Sequence, residues 1–224
     1  MESDHKTVFY IEENDDLRVK NTIRLENSGS DVDVVELLSG KKALKVLKDM
    51  PEIQYVFIGV QLFSDAEGFF LKKFKEANTP KLIVLNSDPD LSESCQLLST
   101  DYPHINFIEL NQSDSEITTK IQSLTQWETS DLESSVQYSK IKLHYFLRHT
   151  QTLADIFIRI NEEKYVKLIN KDQLYSHTII NKYRIKGVEY LYILTSDLSE
   201  FSSEISETPF LKKLDKNLPL NASI

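Results

Sequence analysis

The prediction of the fold begins with residues 8–16, which run Val8-Phe9-Tyr10-Ile11-Glu12-Glu13-Asn14-Asp15-Asp16. The four apolar residues predict a short buried strand, and the acidic residues after them predict a polar edge at the carboxyl end of that strand. A segment with helical spacing of its apolar residues starts directly afterwards, at Leu17. A strand, an acidic turn and a helix in this order are typical of an α/β fold.

Strand and helix patterns alternate five times along the first part of the chain. The predicted strands are the apolar runs 8–11, 32–37, 55–60, 82–85 and 105–108. A helical pattern follows each strand; the second helix is predicted near residues 43–47, and Ser113 or Asp114 is expected to cap the fifth. The runs at 56–60 and 82–85 are continuous, as in parallel strands covered by helices on both faces. We therefore predict a doubly wound, five-stranded parallel sheet over residues 6–127, with any site at the carboxyl ends of its strands.

A change of composition after Trp127 predicts a second domain. Residues 128–138 are polar without apolar periodicity and are predicted to be a linker. Residues 139–201 predict a small α+β module with a short helix at 145–150, a hairpin of strands 156–160 and 165–169, a helix at 178–186 ending at Gly187, and a strand at 188–194. Residues 202–224, with two prolines and few periodic apolar positions, are predicted to be a flexible tail.

The composition argues against several classes of function. The chain has 26 basic and 35 acidic residues, a net charge of −9, so we expect no binding to nucleic acid or to anionic membranes. No apolar run approaches the roughly 20 residues of a membrane span, and the first ten residues do not look like a secretion signal, so a cytoplasmic location is expected. With one cysteine, Cys95, no disulfide framework or cysteine metal cage is expected.

No pattern for catalysis is present either. The five histidines have no partner at metal-ligand spacing, and the sequence contains no nucleophile elbow and no glycine-rich phosphate loop. We therefore expect no enzymatic activity, no catalytic residues, no bound metal and no cofactor.

The acidic opening and the order of the five strand and helix units resemble the receiver domains of bacterial response regulators in two-component systems. Glu12 and Glu13 match the acid pair that holds Mg²⁺ beside the phosphoacceptor aspartate in that family. Gly59 stands at the acceptor position, and neither of its neighbours, Ile58 and Val60, is an aspartate. The resemblance therefore implies a pseudo-receiver that cannot be phosphorylated.

Two further positions depart from the family. Asn86, next to Ser87, stands where the resemblance places a hydroxyl residue at the end of the fourth strand. Leu110, beside Glu109, stands where it places the lysine of a lysine-proline pair. The remaining acids, Glu12, Glu13, Asp88 and Glu109, are interpreted either as solvated carboxylates or as a weak divalent-cation crevice, and phosphorylation of another residue also stays open. The family's contact face implies that residues 91–124 could carry target contacts or a homodimer.

The second domain resembles small signalling modules that precede HD-GYP cyclic-di-GMP phosphodiesterase domains or accompany receivers. The resemblance rests on residues 154–160, 163–168 and 182–193. It implies no catalytic group, and the chain contains no His-Asp pair such as the HD-GYP domain requires.

This module contains the only locally basic and aromatic cluster of the chain. Strand alternation predicts Tyr165, Lys167 and Ile169 on one face of a half-buried hairpin, and Val166 and Leu168 on the other. The alternative interpretation is a ligand or partner site, because aromatic rings with lysine or arginine can bind a nucleotide or an acidic surface. The motif of PilZ-type cyclic-di-GMP receptors is absent. The candidate residues are Tyr165, Lys167, Lys182, Tyr183, Arg184, Lys186, Tyr190 and Tyr192.

The leading hypothesis is a non-catalytic bacterial signalling protein that acts as an adaptor or regulator by binding other signalling proteins. A sensor of a nucleotide second messenger is the first alternative. The regulatory N-terminal part of a cyclic-di-GMP phosphodiesterase is the second.

Overall fold

The first sheet has the topology that the sequence predicts. In a computed structural model, which describes residues 6–29, 31–39, 43, 45–46, 53–74, 80–127, 137–161 and 163–207, five parallel strands pair in the order β2-β1-β3-β4-β5. The strands are β1 (Lys6–Ile11), β2 (Val32–Leu37), β3 (Tyr55–Gly59), β4 (Lys81–Asn86) and β5 (Ile105–Glu109). This is the flavodoxin-like doubly wound order, so the predicted α/β fold class is confirmed.

Helices cover both faces of this sheet, because alternate strand residues bury apolar side chains on opposite sides. The helices are α1 (Asp15–Glu26), α2 (Val60–Asp65), α3 (Glu67–Lys73), α4 (Ser92–Asp101) and α5 (Asp114–Thr125). On one face Phe9, Val56 and Ile58 pack with Phe63 of α2 and Phe70 of α3. On the other face Tyr10 and Phe57 pack with Leu25 of α1 and Ile117 of α5. The carboxyl ends of the strands thus lie between two packed layers.

The ends of the helices follow from local side chains. The Asn14 side chain accepts hydrogen bonds from the backbone N–H groups of Asp16 and Leu17 and caps α1. Ser113 caps α5 and forms a capping box with Glu116, which selects Ser113 from the two predicted caps. Val60 was predicted to end the third strand, but it begins α2 directly after Gly59. In the predicted helix near 43–47, residues 43, 45 and 46 are helical, and residues 44 and 47 lie outside the described residues.

The second sheet is antiparallel and has four strands in the order β6-β9-β7-β8. The strands are β6 (Tyr138–Lys142), β7 (Ile156–Arg159), β8 (Tyr165–Ile169) and β9 (Tyr190–Leu194), and the α-helices are α6 (His177–Ile185) and α7 (Leu198–Glu207). A 3-10 helix, Leu143–Arg148, stands near the predicted short helix, and Gly187 takes the left-handed conformation expected after α6 (φ +79°). The prediction of a small α+β fold is confirmed.

The chain divides into two compact units, Met1–Ser135 and Val136–Ile224, called the first and second unit below. The predicted linker lies outside the described residues except at its end, where Tyr138 already belongs to β6. The prediction of a flexible tail over residues 202–224 was wrong for its first six residues, because residues 202–207 continue α7. Phe201 and Ile205, four residues apart, are both buried and give this helix an apolar face. Residues 208–224 lie outside the described residues.

In the described parts of the chain, no helix has both the length and the apolar surface needed to cross a bilayer.

Candidate functional site

The acid pair at the end of β1 is split between the interior and the solvent. Glu12 is only 6% exposed, and its Oε1 accepts a hydrogen bond from the backbone N–H of Asn14 at 2.9 Å. Glu13, the next residue, is exposed. Successive residues after a strand point to different sides, so the two carboxylates do not form one ligand pair here.

Gly59, the last residue of β3, leaves the space that the Glu12 side chain fills. A Cβ atom built on Gly59 would lie 1.9 Å from Glu12 Oε2 and 2.9 Å from Glu12 Cδ. The backbone of Gly59 is extended (φ −66°, ψ 142°), a conformation that any residue can adopt. Glycine is therefore favoured at this position for space and not for its backbone freedom, since any side chain here would displace the Glu12 carboxylate.

Arg18 of α1 supports the same region and was missed in the sequence. Its Nη1 donates to the backbone carbonyl of Glu12 at 3.2 Å, and its Nε donates to Glu36 Oε2 at 3.2 Å. It also contacts the Asp15 carboxylate. The Asp15 contact, at helical spacing, could be found in the sequence, but the Glu36 contact depends on the parallel pairing of β1 with β2.

The ends of β4 and β5 are joined by a network of polar side chains. The Asn86 amide, almost fully buried, donates to Glu109 Oε2 at 2.9 Å, and Ser92 Oγ donates to the same oxygen at 3.0 Å. Asn86 Oδ1 accepts from the backbone N–H of Asp88 at 3.0 Å. Leu110 donates its backbone N–H to the Asn86 carbonyl at 2.8 Å and packs against the core on the Tyr10 side. Glu109 is thus a structural acceptor, held by two donors.

The structure therefore gathers four of the five predicted site residues into two separate groups. Glu12 contacts Gly59, and Asn86 joins Glu109 beside Leu110, whereas Glu13 is exposed and belongs to neither group. In the described part of the chain, no group of three or more His, Cys, Asp or Glu side chains is placed to hold a metal ion. The four acids of the hypothetical cation crevice are accordingly not assembled into one.

Burial changes the acid-base properties of two groups on this side of the sheet. It raises the pKa of Glu12, and the hydrogen bond from Asn14 offsets only part of this effect. Burial, with a smaller contribution from the negative charge of Glu109, raises the pKa of the Cys95 thiol to about 11. Cys95 therefore stays a protonated, packed thiol at neutral pH.

The stability of Glu12→Gln relative to the wild type is expected to increase from acidic to neutral and alkaline pH. Because the folded-state pKa of Glu12 is raised, the folded protein holds this proton more tightly than the unfolded chain does. The contribution of Glu12 to stability is then greatest below the unfolded-state pKa, about 4.5, and is lost as the pH rises through the folded-state pKa. Denaturant unfolding of both proteins at pH 4.5 and pH 8 measures the difference.

Glu13→Gln is the matched control, since it makes the same change at an adjacent exposed position. Its unfolding free energy should follow that of the wild type at both pH values. The account of Glu12 is wrong if Glu12→Gln becomes less stable, relative to the wild type, as the pH rises.

In the second unit the eight predicted binding residues separate into two sets. Tyr165, Lys167, Tyr190 and Tyr192 lie on strands β8 and β9, whereas Lys182, Tyr183 and Arg184 lie on α6 and Lys186 follows it. Lys186 lies over the Tyr183 ring, with Nζ 5.9 Å from its centroid. None of the described side-chain contacts connects the helix set with the strand set.

The strand set is completed by residues that the sequence did not single out. Tyr138 of β6 stacks on Tyr165, with ring centroids 3.9 Å apart and an angle of 12° between the rings. Phe157 of β7 contacts the Tyr138 ring, with 5.0 Å between centroids. The predicted linker includes Tyr138, because the polar residues before it give no indication of where the strand begins.

A register shift between β7 and β8 corrects one face assignment. Phe157 pairs with Lys167, but Ile156 pairs with Ile169, so Leu168 is an extra residue. Ile169 is consequently buried, whereas Tyr165 is half-buried and Lys167 exposed. The predicted placement of Ile169 on the face of Tyr165 and Lys167 was wrong, because strict alternation does not allow for the bulge.

A groove of about 420 Å³ opens beside these aromatic residues. Strands β7 and β9 pair only at Phe157 and Tyr192. Further along, where the two strands no longer pair, residues of both line the groove. The groove is lined by Arg159, Asn161, Gly187, Glu189, Tyr190 and Tyr192, among others.

Comparisons with solved structures give likenesses in fold. No protein-family model matches the chain, and no curated protein matches it. A solved structure, a response regulator receiver protein from Burkholderia phymatum, is similar over 55% of this chain and 98% of its own length, with 13% identical residues and a TM-score of 0.46. At this level of identity the likeness concerns fold alone. The assignment of the fold depends on this chain's own strand order, and no site or activity is transferred from that protein.

Proposed function

We propose that this chain is a non-catalytic bacterial signalling protein, in which a receiver-like domain that cannot be phosphorylated is joined to a protein-interaction module. It acts as an adaptor or regulator by binding other signalling proteins in the cytoplasm. The contact between Glu12 and Gly59 is the observation that carries the proposal.

The contact supports the loss of phosphoacceptor chemistry for a steric reason. An acceptor would need a carboxylate that projects from the end of β3, and this space is taken by the Glu12 side chain. Glu12 is itself an unsuitable acceptor, because it is buried and its oxygen is engaged by the Asn14 backbone. Leu110, at the position where the resemblance places a lysine, also offers no cation to offset the charge of a phosphoryl group.

We expect the full-length protein to remain unmodified when it is incubated with acetyl phosphate and Mg²⁺. Among the residues that the structure describes, no carboxylate is both exposed and placed at the end of β3, so no aspartyl phosphate should form. Intact-protein mass spectrometry measures the result, with a receiver domain that retains its acceptor aspartate as the positive control. A hydroxylamine-sensitive phosphoryl adduct mapped to the first unit would show that the proposal is wrong.

The binding role has its own test. Affinity capture with the full-length chain should retain a cytosolic protein, and the purified pair should form a complex of defined stoichiometry. Failure of every captured protein to bind after purification would contradict an adaptor role, whatever the result with acetyl phosphate.

The groove in the second unit favours one other candidate function. Its volume is within the range of small-ligand sites, and Arg159 with two tyrosines could contact a phosphate and a base. The chain would then be a sensor of a nucleotide second messenger, or the regulatory part of a cyclic-di-GMP phosphodiesterase, as the likeness of the module implies. Calorimetric titration with cyclic-di-GMP distinguishes this candidate, since saturable binding is expected only for a sensor.

A further inference from the structure

One face of the second sheet carries aromatic and basic side chains, while the other faces the core. Along β6 and β9, Ser139, Ile141, Leu191 and Ile193 are buried, and the residues that alternate with them are only partly buried. These alternate residues, together with Phe157, Arg159, Tyr165 and Lys167, are called the tyrosine-lysine face. The strand register places Lys140 opposite Tyr192 and Lys142 opposite Tyr190 on this face.

The aromatic rings of this face hold one another in fixed positions. Tyr138 stacks on Tyr165, Phe157 packs against Tyr138, and the edge of Tyr192 meets Tyr165 with 5.1 Å between centroids. These residues come from all four strands, so the cluster spans the sheet. Rings that are already ordered lose little conformational entropy when a partner binds, and tyrosine is enriched at protein interfaces for this reason.

Cations surround these rings. Lys140 Nζ lies 5.2 Å from the centroid of the Tyr190 ring, and Lys167 Nζ lies 5.6 Å from that of Phe157. Lys167 is also paired with Asp155, at 2.5 Å. Arg159 is exposed at the groove; its described hydrogen bond uses Nε, which donates to the Asn161 carbonyl at 3.2 Å. No ion pair forms between Arg159 and any residue that the structure describes. Its two Nη groups can therefore donate hydrogen bonds to the two oxygens of one carboxylate, in bidentate geometry.

The distribution of charge limits what can cover this face. The first unit has 13 basic and 25 acidic residues, a net charge of −12, and the second has 13 basic and 10 acidic residues, a net charge of +3. A long polyanion such as nucleic acid would be repelled by the first unit. Two copies of the face would place lysines against lysines, which disfavours a symmetric dimer. A protein with a local acidic segment avoids both penalties.

We propose that the tyrosine-lysine face docks an acidic segment of a partner protein, with one carboxylate of the partner bound by Arg159. This inference rests on the proposed function, because it identifies the surface and the partner chemistry through which the adaptor would act. The stacked tyrosines supply the ordered apolar contact, and the lysines around them select for negative charge.

The test uses the full-length protein and a short fluorescein-labelled oligoglutamate peptide, with binding followed by fluorescence anisotropy at low salt. Arg159→Glu is expected to weaken binding on the order of tenfold or more, because a charge-assisted hydrogen bond is lost and a like charge is added. Lys72→Glu is the control, since it makes the same charge reversal at an exposed residue of α3 in the first unit. Its affinity should change by less than about threefold. Tyr192→Phe, which removes a hydroxyl and keeps the ring, should fold normally and weaken binding less than Arg159→Glu.

Several outcomes would overturn the inference. Equal losses for Arg159→Glu and Lys72→Glu would mean that only the overall charge matters, and no binding by the wild type would exclude the face altogether. Stronger binding to poly(U), to vesicles of phosphatidylglycerol or to cyclic-di-GMP than to the oligoglutamate peptide would assign the face to a different ligand. A phosphoryl adduct on the first unit would overturn the proposed function and would leave the oligoglutamate result unchanged, so the two failures are distinguishable.

Discussion

Gly59→Asp is expected to lower the free energy of unfolding of the first unit by about 2–3 kcal/mol, the range for overpacking a tight site. The new side chain would begin 1.9 Å from Glu12 Oε2, so Glu12 must leave its position and its hydrogen bond with the Asn14 backbone. Wherever the two carboxylates settle, they stay close together, and like charges destabilise each other. Chemical denaturation at pH 7.5, followed by circular dichroism, measures the loss.

Gly68→Asp is the matched control for this substitution. Gly68 lies in the first turn of α3, and no atom lies within 4 Å of a Cβ built on it. An aspartate near a helix N-terminus is tolerated or mildly favourable, so the unfolding free energy should change by less than about 0.5 kcal/mol.

A second substitution tests whether Glu12 is the cause. In the double variant Glu12→Ala, Gly59→Asp, the space beside residue 59 is open. The loss of unfolding free energy in this double variant should therefore be smaller than the sum of the two single losses, by about 1 kcal/mol or more. Strict additivity would mean that the Glu12 side chain does not occupy the space over Gly59.

Asn86→Asp is expected to lower the free energy of unfolding by about 2–4 kcal/mol at pH 8, although it hardly changes the shape of the side chain. The Asn86 amide donates to the Glu109 carboxylate, and the substitution replaces this donor with a second buried carboxylate. A buried charge without a partner is among the most costly single changes in a protein. Urea denaturation at pH 8 and at pH 5 measures the effect.

The loss should shrink as the pH falls. A carboxyl group beside the Glu109 carboxylate has a raised pKa in the folded state, so the folded protein takes up a proton before the unfolded chain does. Once protonated, it can donate a hydrogen bond to Glu109 again. Asn111→Asp, the same change at an exposed residue shortly after β5, should cost less than about 0.5 kcal/mol at both pH values. A loss for Asn86→Asp that is equal at the two pH values would argue against this account.

The first fold could be predicted because its signal is local and repeated. Each strand is rich in apolar residues, with continuous runs at 56–60 and 82–85, and helical patterns follow the strands, so the order of elements follows from the sequence. Parallel strands must then be joined by helices on the faces of the sheet, which leaves few topologies. Ser113 was predictable as a cap because its hydroxyl and Glu116 are three residues apart.

The contacts at the candidate sites could not be predicted in the same way. Glu12 and Gly59 are distant in sequence, and only the pairing of β1 with β3 brings them together. The acids at the strand ends had two interpretations, and neither describes Glu109, which is held by Asn86 and Ser92. In the second unit, the bulge at Leu168 and the strand order moved side chains between faces, and no residue pattern marks such a shift. Helix α7 was missed because two buried residues, Phe201 and Ile205, are too few to form a clear period.

The contact between Glu12 and Gly59 also couples the residue types that evolution can place at these two positions. With a glutamate at the end of the first strand, any side chain at the end of the third must displace the glutamate carboxylate. Among sequences that share this arrangement, the two positions should therefore tend to vary together, with glutamate and glycine appearing as a pair and larger third-strand residues accompanying shorter first-strand ones. An aspartate at position 59 of this chain would cost less stability once position 12 had changed.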